Sequence, residues 1–256
     1  MAIDLKDLTI TIPVKLEHDD RKRNLKTVME FLTHNFETNI IICEQDSNEV
    51  PELLKGFDFH YMKTTRDDGF IHRTHQLNIM AKEAKTPFVA NYDADVLMKP
   101  AQYVEGMSFL RSGEVSMVIP YAGPCWDINA SHHKRIVDEN SVDFIEPPKN
   151  FGGLMNQNSV GGVLFWNKKD FISGGMENEH FISWGFEDNE RFDRFPKLGY
   201  RMKRASGILF HLNHHRTPNS SPKHKFYQKN LAEYNRIKGM DKQKLLNEVK
   251  SWTWCK

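Results

Sequence analysis

Over the first hundred residues, short β-rich runs alternate with helical patterns, and this alternation constrains the chain more than any other feature. Leu8-Thr9-Ile10-Thr11-Ile12-Pro13 alternates in the manner of a strand. Asp19-Asp20 then precede Leu25, Val28, Met29 and Leu32, spaced i, i+3, i+4, i+7 as on the apolar face of a helix. Asn39-Ile40-Ile41-Ile42-Cys43 is a continuous apolar run of the kind found in a strand buried on both faces. Phe57-Asp58-Phe59-His60-Tyr61 is a third strand candidate, and Leu77, Met80, Ala81 and Ala84 mark the inner face of a second helix. Pro87-Phe88-Val89-Ala90-Asn91-Tyr92 reads as a fourth strand and runs directly into Asp93-Ala94-Asp95. Such alternation builds βαβ units, hence an α/β fold with a mixed, mostly parallel sheet flanked by helices. Ligands of such sheets bind beyond the carboxyl ends of the strands, where Asp93 and Asp95 stand.

The second half is less regular. Val115-Ser116-Met117-Val118-Ile119, residues 160–166 and Gly207-Ile208-Leu209-Phe210 read as strands, and residues 187–198 as a helix. Residues 121–158, rich in Pro, Gly, Asn and His, read as one long loop region, and a loop of that length in a compact domain is often a lid. Pro222 is expected to open a helix that ends before Gly239, with a shorter helix from Asp241. No internal repeat or linker is visible. The chain is read as a single domain over 1–256. Within it the stretches 1–120, 121–220 and 221–256 are distinguished, the last as a basic helical tail.

Composition excludes several classes. With 39% hydrophobic and 27% charged residues, the chain is an ordinary globular protein rather than a disordered one. No stretch reaches the roughly 18 apolar residues of a membrane span, and no signal peptide is apparent at the N-terminus. Cys43, Cys125 and Cys255 are widely spaced, which indicates neither a disulfide framework nor a zinc knuckle. A cytoplasmic location is expected. The near-zero net charge hides an asymmetry: residues 201–256 carry 13 Lys+Arg against 3 Asp+Glu, about +10, and the remainder is about −9. With Trp252 and Trp254 at its end, the basic tail suits an anionic membrane surface at the inner face, and it suits packing on the domain equally. Nucleic acid is not an expected partner.

Four segments carry candidate chemistry. Asp93 and Asp95, two carboxylates at i and i+2 after a buried strand, suit a hard cation, although a turn with two solvated acids would show the same pattern. Glu187-Asp188 follow Trp184-Gly185-Phe186 at a helix start. There they either complement the helix dipole or present a general base at a pocket rim. His211-Leu212-Asn213-His214-His215-Arg216 would join Asp95 in a mixed carboxylate–imidazole site if a turn brings the imidazoles together, with His214 or His215 as the second. Arg73, opening a helix, is either a surface arginine or a fork for a diphosphate.

In this order the segments resemble the GT-A glycosyltransferases, in particular the β-1,4-galactosyltransferase branch and its bacterial relatives. The family's "IPxR" corresponds to Ile12-Pro13-Val14-Lys15, with arginines displaced to Arg21 and Arg23, and its "EQ" to Glu44-Gln45. Its "FNRAxxLN" corresponds to Ile71-His72-Arg73-Thr74-His75-Gln76-Leu77-Asn78, with His72 in place of Asn. Its Gly-Gly strand and "GFxxxxWGWGGED" correspond to Val160-Gly161-Gly162-Val163, Gly174-Gly175-Met176 and Trp184-Gly185-Phe186-Glu187-Asp188, with Phe186 replacing a Gly. Its closing "MxxHxR" is matched in spacing by residues 211–216, His211 standing for the Met. The resemblance spans about residues 8–220; no one motif is specific, but five in order are.

The resemblance implies a Rossmann-like GT-A fold and a metal-dependent transfer of galactose or N-acetylgalactosamine from a UDP-sugar to a glycan or lipid-linked saccharide, in surface polysaccharide synthesis. It implies donor contacts from Pro13, Val14, Lys15, Arg21, Glu44, Gln45, Arg73, Asp93, Ala94, Asp95, Gly162 and Trp184. Acceptor contacts would come from Trp184, Gly185, Phe186, Glu187 and Asp188. Asp95, His211 and His214 would hold Mn²⁺, with Mg²⁺ as the alternative. Asp188, assisted by Glu187, would be the base of an inverting displacement. Residues 121–158 and 176–186 would close over the donor. Polypeptide N-acetylgalactosaminyltransferases share the Gly-Gly and Trp-Gly segments but retain configuration. A glycan-binding module that has lost catalysis and a metal-dependent phosphohydrolase are the other classes open to these residues.

Overall fold

The computed structural model describes residues 2–146 and 151–256. The alternation read from the sequence is realised as β1 (Ile3–Val14), α1 (Asp19–Asn35), β2 (Phe36–Gln45), the single turn α2 (Val50–Leu53), β3 (His60–Thr64), α3 (Arg73–Glu83) and β4 (Phe88–Tyr92). Leu25, Val28, Met29 and Leu32 of α1 and Leu77, Met80 and Ala81 of α3 are all fully buried, as their spacing requires. Then follow β5 (Val96–Leu97), α4 (Pro100–Arg111), β6 (Met117–Ile119), β7 (Cys125–Ile128), α5 (His133–Glu139), β8 (Phe151–Asn156), β9 (Val163–Asn167), α6 (Lys168–Ser173), α7 (Glu187–Leu198), β10 (Met202–Arg204), β11 (Leu209–Leu212), α8 (Tyr227–Lys238) and α9 (Lys242–Ser251).

Among the described residues, seven strands form the main sheet in the order β10-β6-β9-β4-β1-β2-β3. The pairs β1–β2, β1–β4, β2–β3 and β6–β10 are parallel, and β9 runs antiparallel between β4 and β6. The sheet is mixed and mostly parallel, with helices against it, as expected. Strand order reverses at β1: β2 and β3 build out on one side of it and β4 lies on the other. The carboxyl ends of β1 and β4 therefore diverge and leave a crevice, the ligand position of open α/β sheets.

A second sheet, β5-β11-β7-β8, stands over that crevice. It corrects the sequence expectation that residues 121–158 form one long loop. β7, α5 and β8 lie within that range, and Pro147, Pro148, Lys149 and Asn150 of it are outside the described residues. Of its strands only β11 overlaps a run read from the sequence; β7 and β8 pair across long stretches of chain and leave no local pattern. Pro222 likewise does not open a helix; α8 begins five residues later, at Tyr227.

The tail packs on the domain. Trp252 is 3% exposed, clustered with Leu198, Ile237, Leu245 and Val249, and lies 5.0 Å under the Arg194 guanidinium. Trp254 Nε1 donates to the Gly175 carbonyl at 3.3 Å. A Cβ on Gly175 would come within 2.7 Å of Val249 and 2.9 Å of Trp252, so that glycine lets the tail dock. Trp252 is a core residue and Trp254 packs half-buried against the core, so the domain itself engages both rings. Among the described residues, no helix is long and apolar enough to cross a membrane. Trp252→Ala should destabilise the protein by about 3–5 kcal/mol, the usual cost of emptying a buried Trp site, and urea unfolding followed by circular dichroism measures it.

Candidate active site

The crevice is a cleft of about 240 Å³. Pro13, Val14, Lys15, Arg21, Arg73, Asp93, Ala94, Asp95, Gly162, Trp184, Glu187, Asp188, His211 and His214, all anticipated from the sequence, line it.

Strand register assembles its first corner. In the small sheet His211 pairs with Val96 on one side and with Asp127 on the other. The Leu212 N–H donates to the Asp95 carbonyl at 2.7 Å. Asp95, the residue before β5, is thereby held beside His211, and the turn after β11 returns His214 to the same point. His214 Nε2 lies 3.2 Å and His211 Nε2 4.0 Å from the Asp95 carboxylate. One ligand atom from each of the three lies within 4.8 Å of the others. The far nitrogens are oriented: His211 Nδ1 bonds Asp127 Oδ1 at 2.5 Å, and His214 Nδ1 bonds the His215 carbonyl at 2.8 Å. The His215 ring instead lies against His18, with centroids 4.6 Å apart. A carboxylate and two imidazoles fixed by outer partners form a donor set suited to one divalent ion such as Mn²⁺. Burial opposes ionisation of Asp95, but the His214 hydrogen bond and the charges of His211, His214 and Arg21 hold its pKa well below the usual carboxylate range.

The second corner gathers three carboxylates around one guanidinium. Arg73, at the first turn of α3, donates through Nε and Nη2 to Asp93 Oδ1 at 2.9 and 2.5 Å. Its Nη1 lies 3.8 Å from Glu187 and 3.6 Å from Asp188, and makes no hydrogen bond among the described residues. The arginine forks onto a carboxylate of the protein, and one arm remains for the cleft. Residues 183–186 deliver α7 to this corner through left-handed conformations at Ser183, Gly185 and Phe186, at φ of 63, 112 and 72°. Phe186 holds a conformation natural to the glycine of the resembling family because its ring is packed 5.2 Å from Tyr227 and 5.8 Å from Tyr234. Trp184, 41% exposed, is left stacked on Tyr227 at the rim.

Asp188 occupies space that any side chain at position 161 would take: a Cβ on Gly161 would stand 1.9 Å from Asp188 Oδ2. Burial works against its ionisation, but Arg191 and Arg73 outweigh burial and keep its pKa below the ordinary value. Glu187 behaves oppositely. Burial, reinforced by the charge of Asp188 and only partly offset by Arg73, pushes its pKa up to about 7. Its Oε2 accepts the Gly185 N–H at 2.8 Å.

Four anticipated residues stand outside the cleft lining. Glu44 is fully buried, and its carboxylate accepts from Ser47, from Glu49 N at 2.9 Å, Val50 N at 3.2 Å and Tyr61 Oη at 2.8 Å, which secures the start of α2. Gln45 donates to the Phe70 carbonyl at 2.6 Å and accepts from His72 N at 2.8 Å. Both hold the rim rather than form it. Gly185 and Phe186 shape the approach to α7. Asp127 and Arg191 were missed. Asp127 sits in the range read as loop, with no local signal, whereas Arg191 stands at i+3 from Asp188 on a predicted helix and was findable.

Residues 148–217 match a family model described as the N-terminal domain of galactosyltransferase. The matched segment holds Gly161-Gly162, the Trp184–Asp188 corner and the histidines, and the match bears out the galactosyltransferase-like resemblance there. No curated protein matches the chain. Among solved structures, the chain is similar to the catalytic domain of Drosophila β1,4-galactosyltransferase 7 in complex with xylobiose, with 16% identity and a TM-score of 0.48. It is similar also to a mutant of that protein in complex with manganese, UDP-Gal and xylobiose, with 16% identity and a TM-score of 0.49. Each comparison covers 79% of this chain, which spans 65% of the solved chains.

Asp127 meets His211 on its far side and also accepts Asn213 Nδ2 at 3.2 Å, so Asp127→Asn tests the outer support of the Asp95–His211–His214 corner. It should weaken Mn²⁺ binding about 10–100-fold, measured by isothermal titration calorimetry, without unfolding the protein.

Proposed function

We propose that the chain is a metal-dependent inverting glycosyltransferase that moves galactose or N-acetylgalactosamine from a UDP-sugar to a glycan or lipid-linked saccharide hydroxyl in surface polysaccharide synthesis. One observation carries the reading. A carboxylate kept ionised, Asp188, faces across a single cleft a carboxylate–imidazole corner suited to a divalent ion. The match of residues 148–217 to the galactosyltransferase model supports it.

Asp95, His211 and His214 would hold Mn²⁺ or Mg²⁺, which would neutralise charge growing on the diphosphate. Pro13, Val14 and Lys15, at the end of β1, receive the nucleotide. Arg21 and the open arm of Arg73 face the diphosphate. Trp184 offers its ring to the C–H face of a sugar, and closure of the part of residues 176–186 beyond the anchored Glu177 would exclude water, whose attack would hydrolyse the donor. Asp188 accepts the proton of the acceptor hydroxyl as its oxygen attacks the anomeric carbon. The bond from that carbon to the phosphate oxygen breaks, and the diphosphate leaves with the electron pair. Attack opposite the leaving group turns an α-linked donor into a β-linked product. Division into a nucleotide half, an acceptor and metal half and a tail follows this assignment. The membrane-surface role of the tail now rests on its lysine and arginine excess alone.

Asp188→Asn keeps size and removes the basic oxygen. It should lower turnover by roughly 10²–10⁴-fold with UDP-sugar affinity nearly unchanged, and the anomeric proton coupling of the wild-type product should report inversion. An α-linked product from an α-linked donor would refute the mechanism. Mn²⁺-dependent cleavage at phosphorus without any acceptor, giving UMP and sugar 1-phosphate or inorganic phosphate from a phosphate ester, would point to a phosphohydrolase.

Glu187 gives a second test. Its carboxyl is protonated below about pH 7 and ionised above it. If the ionised form orients the acceptor hydroxyls, kcat/KM should climb between about pH 6 and 8 and then level. In Glu187→Gln that limb should be gone and the acceptor KM raised.

A further inference from the structure

We infer that Arg191 is the positioning residue that fixes Asp188, and that the buried Glu177 and Asn91 fix Arg191 in turn. This rests on the reading of Asp188 as the base. The Arg191 side chain is fully buried and its guanidinium bridges two carboxylates. Nη1 lies 2.6 Å from each oxygen of Glu177, and Nη2 donates to Asp188 Oδ1. Glu177, 1% exposed, also accepts Asn91 Nδ2 of β4 at 2.5 Å. The Glu177 backbone is tied twice to Asn78 of α3: its N–H donates to Asn78 Oδ1 at 2.8 Å, and its carbonyl accepts Asn78 Nδ2 at 3.0 Å. A continuous path of hydrogen bonds thus runs from the sheet, through Asn91, Glu177 and Arg191, to one oxygen of the base.

Arg194, on the same helix, shows what a purely structural buried arginine does here. Its guanidinium ends on the carbonyls of Gly174 and Met176 and on Glu190, and it fixes the turn that carries Glu177. Arg191 instead commits one arm to a carboxylate that lines the cleft. A buried ion pair adds little net stability over a well-packed apolar pair, so stability alone does not call for this one. The planar guanidinium fork holds two carboxylates at a set separation, which a lysine cannot. With Oδ1 bound to Arg191, Oδ2 is the oxygen left to take a proton. The other ionisable groups around Asp188 are Arg73 from α3, Glu187 from its own helix, Asp93 from the end of β4 and Tyr121 after β6. None of them shares a hydrogen bond with Arg191.

The test compares the wild type with Arg191→Lys, the double variant Arg191→Met/Glu177→Gln, and Asp188→Asn. The double variant removes both buried charges together, so neither is left unpaired. It should fold with a near-unchanged Tm and bind UDP within about twofold of wild type, while the single-turnover rate falls roughly 10–100-fold at little-changed acceptor KM. Beneath the limb set by Glu187, the lower acidic limb set by Asp188 should move upward in its rate–pH profile, because Asp188 has lost its nearest cation. Arg191→Lys retains a charge beside Glu177 but not the fork, and should lose roughly 3–10-fold in the same rate. A wild-type rate and an unmoved acidic limb in the folded double variant overturn the inference, as does a wild-type rate in Arg191→Lys if the double variant does not fold. An inactive Asp188→Asn beside a fully active double variant removes the role of Arg191 alone, whereas an active Asp188→Asn removes the base itself.

Discussion

Three carboxylates, Asp93, Glu187 and Asp188, converge on the guanidinium of Arg73, and the cleft depends on that convergence. They come from the end of β4 and the start of α7, segments about ninety residues apart. Without a cation among them, like charges at such range in a partly buried site would drive the two elements apart. Arg73 reconciles them unequally. Asp93 takes two of its donors, while the third lies within 4 Å of the α7 acids without bonding either. Arg191, bonded to Asp188 and not to Glu187, then separates these neighbours into a buried carboxyl that titrates near neutrality and one that stays ionised. Adjacent acids in such unequal surroundings are able to take different parts in one reaction.

The opposite corner is organised by backbone rather than charge. β11 pairs with β5 on one edge and β7 on the other, so His211 is set between the residue following Asp95 and Asp127. The metal corner is thus a product of strand register, and a slip of one residue would turn His211 to the other face.

The sequence made the first half of the fold legible because β1, β2 and β4 are buried over much of their length and its helices on one face, the edge strand β3 excepted. Residues 39–43 and the Leu25–Leu32 stripe carry those patterns openly. It was less informative wherever pairing is non-local. β7 and β8 were hidden in a Pro- and Gly-rich range, and with them Asp127, whose meaning comes from a partner 84 residues away. Asp93, Asp95 and the 184–188 corner were visible because several residue types had to recur in order. Glu44 and Gln45 show the converse: they follow the right strand but turn inward to secure α2 and the 70–72 segment. Trp252 and Trp254 looked amphipathic beside lysines, and Gly175, the small residue that receives them, lies far away in the chain.

Gly161 has a use outside this one molecule. Its missing side chain is the space that the Asp188 carboxylate fills, so the two positions are mutually exclusive volumes. If Asp188 is the base, a chain of this type that has drifted into a non-catalytic role is free to gain a side chain there, and one that still uses Asp188 is not. The residue at this position therefore serves as a sequence marker for sorting working members from retired ones, even where the acids themselves persist.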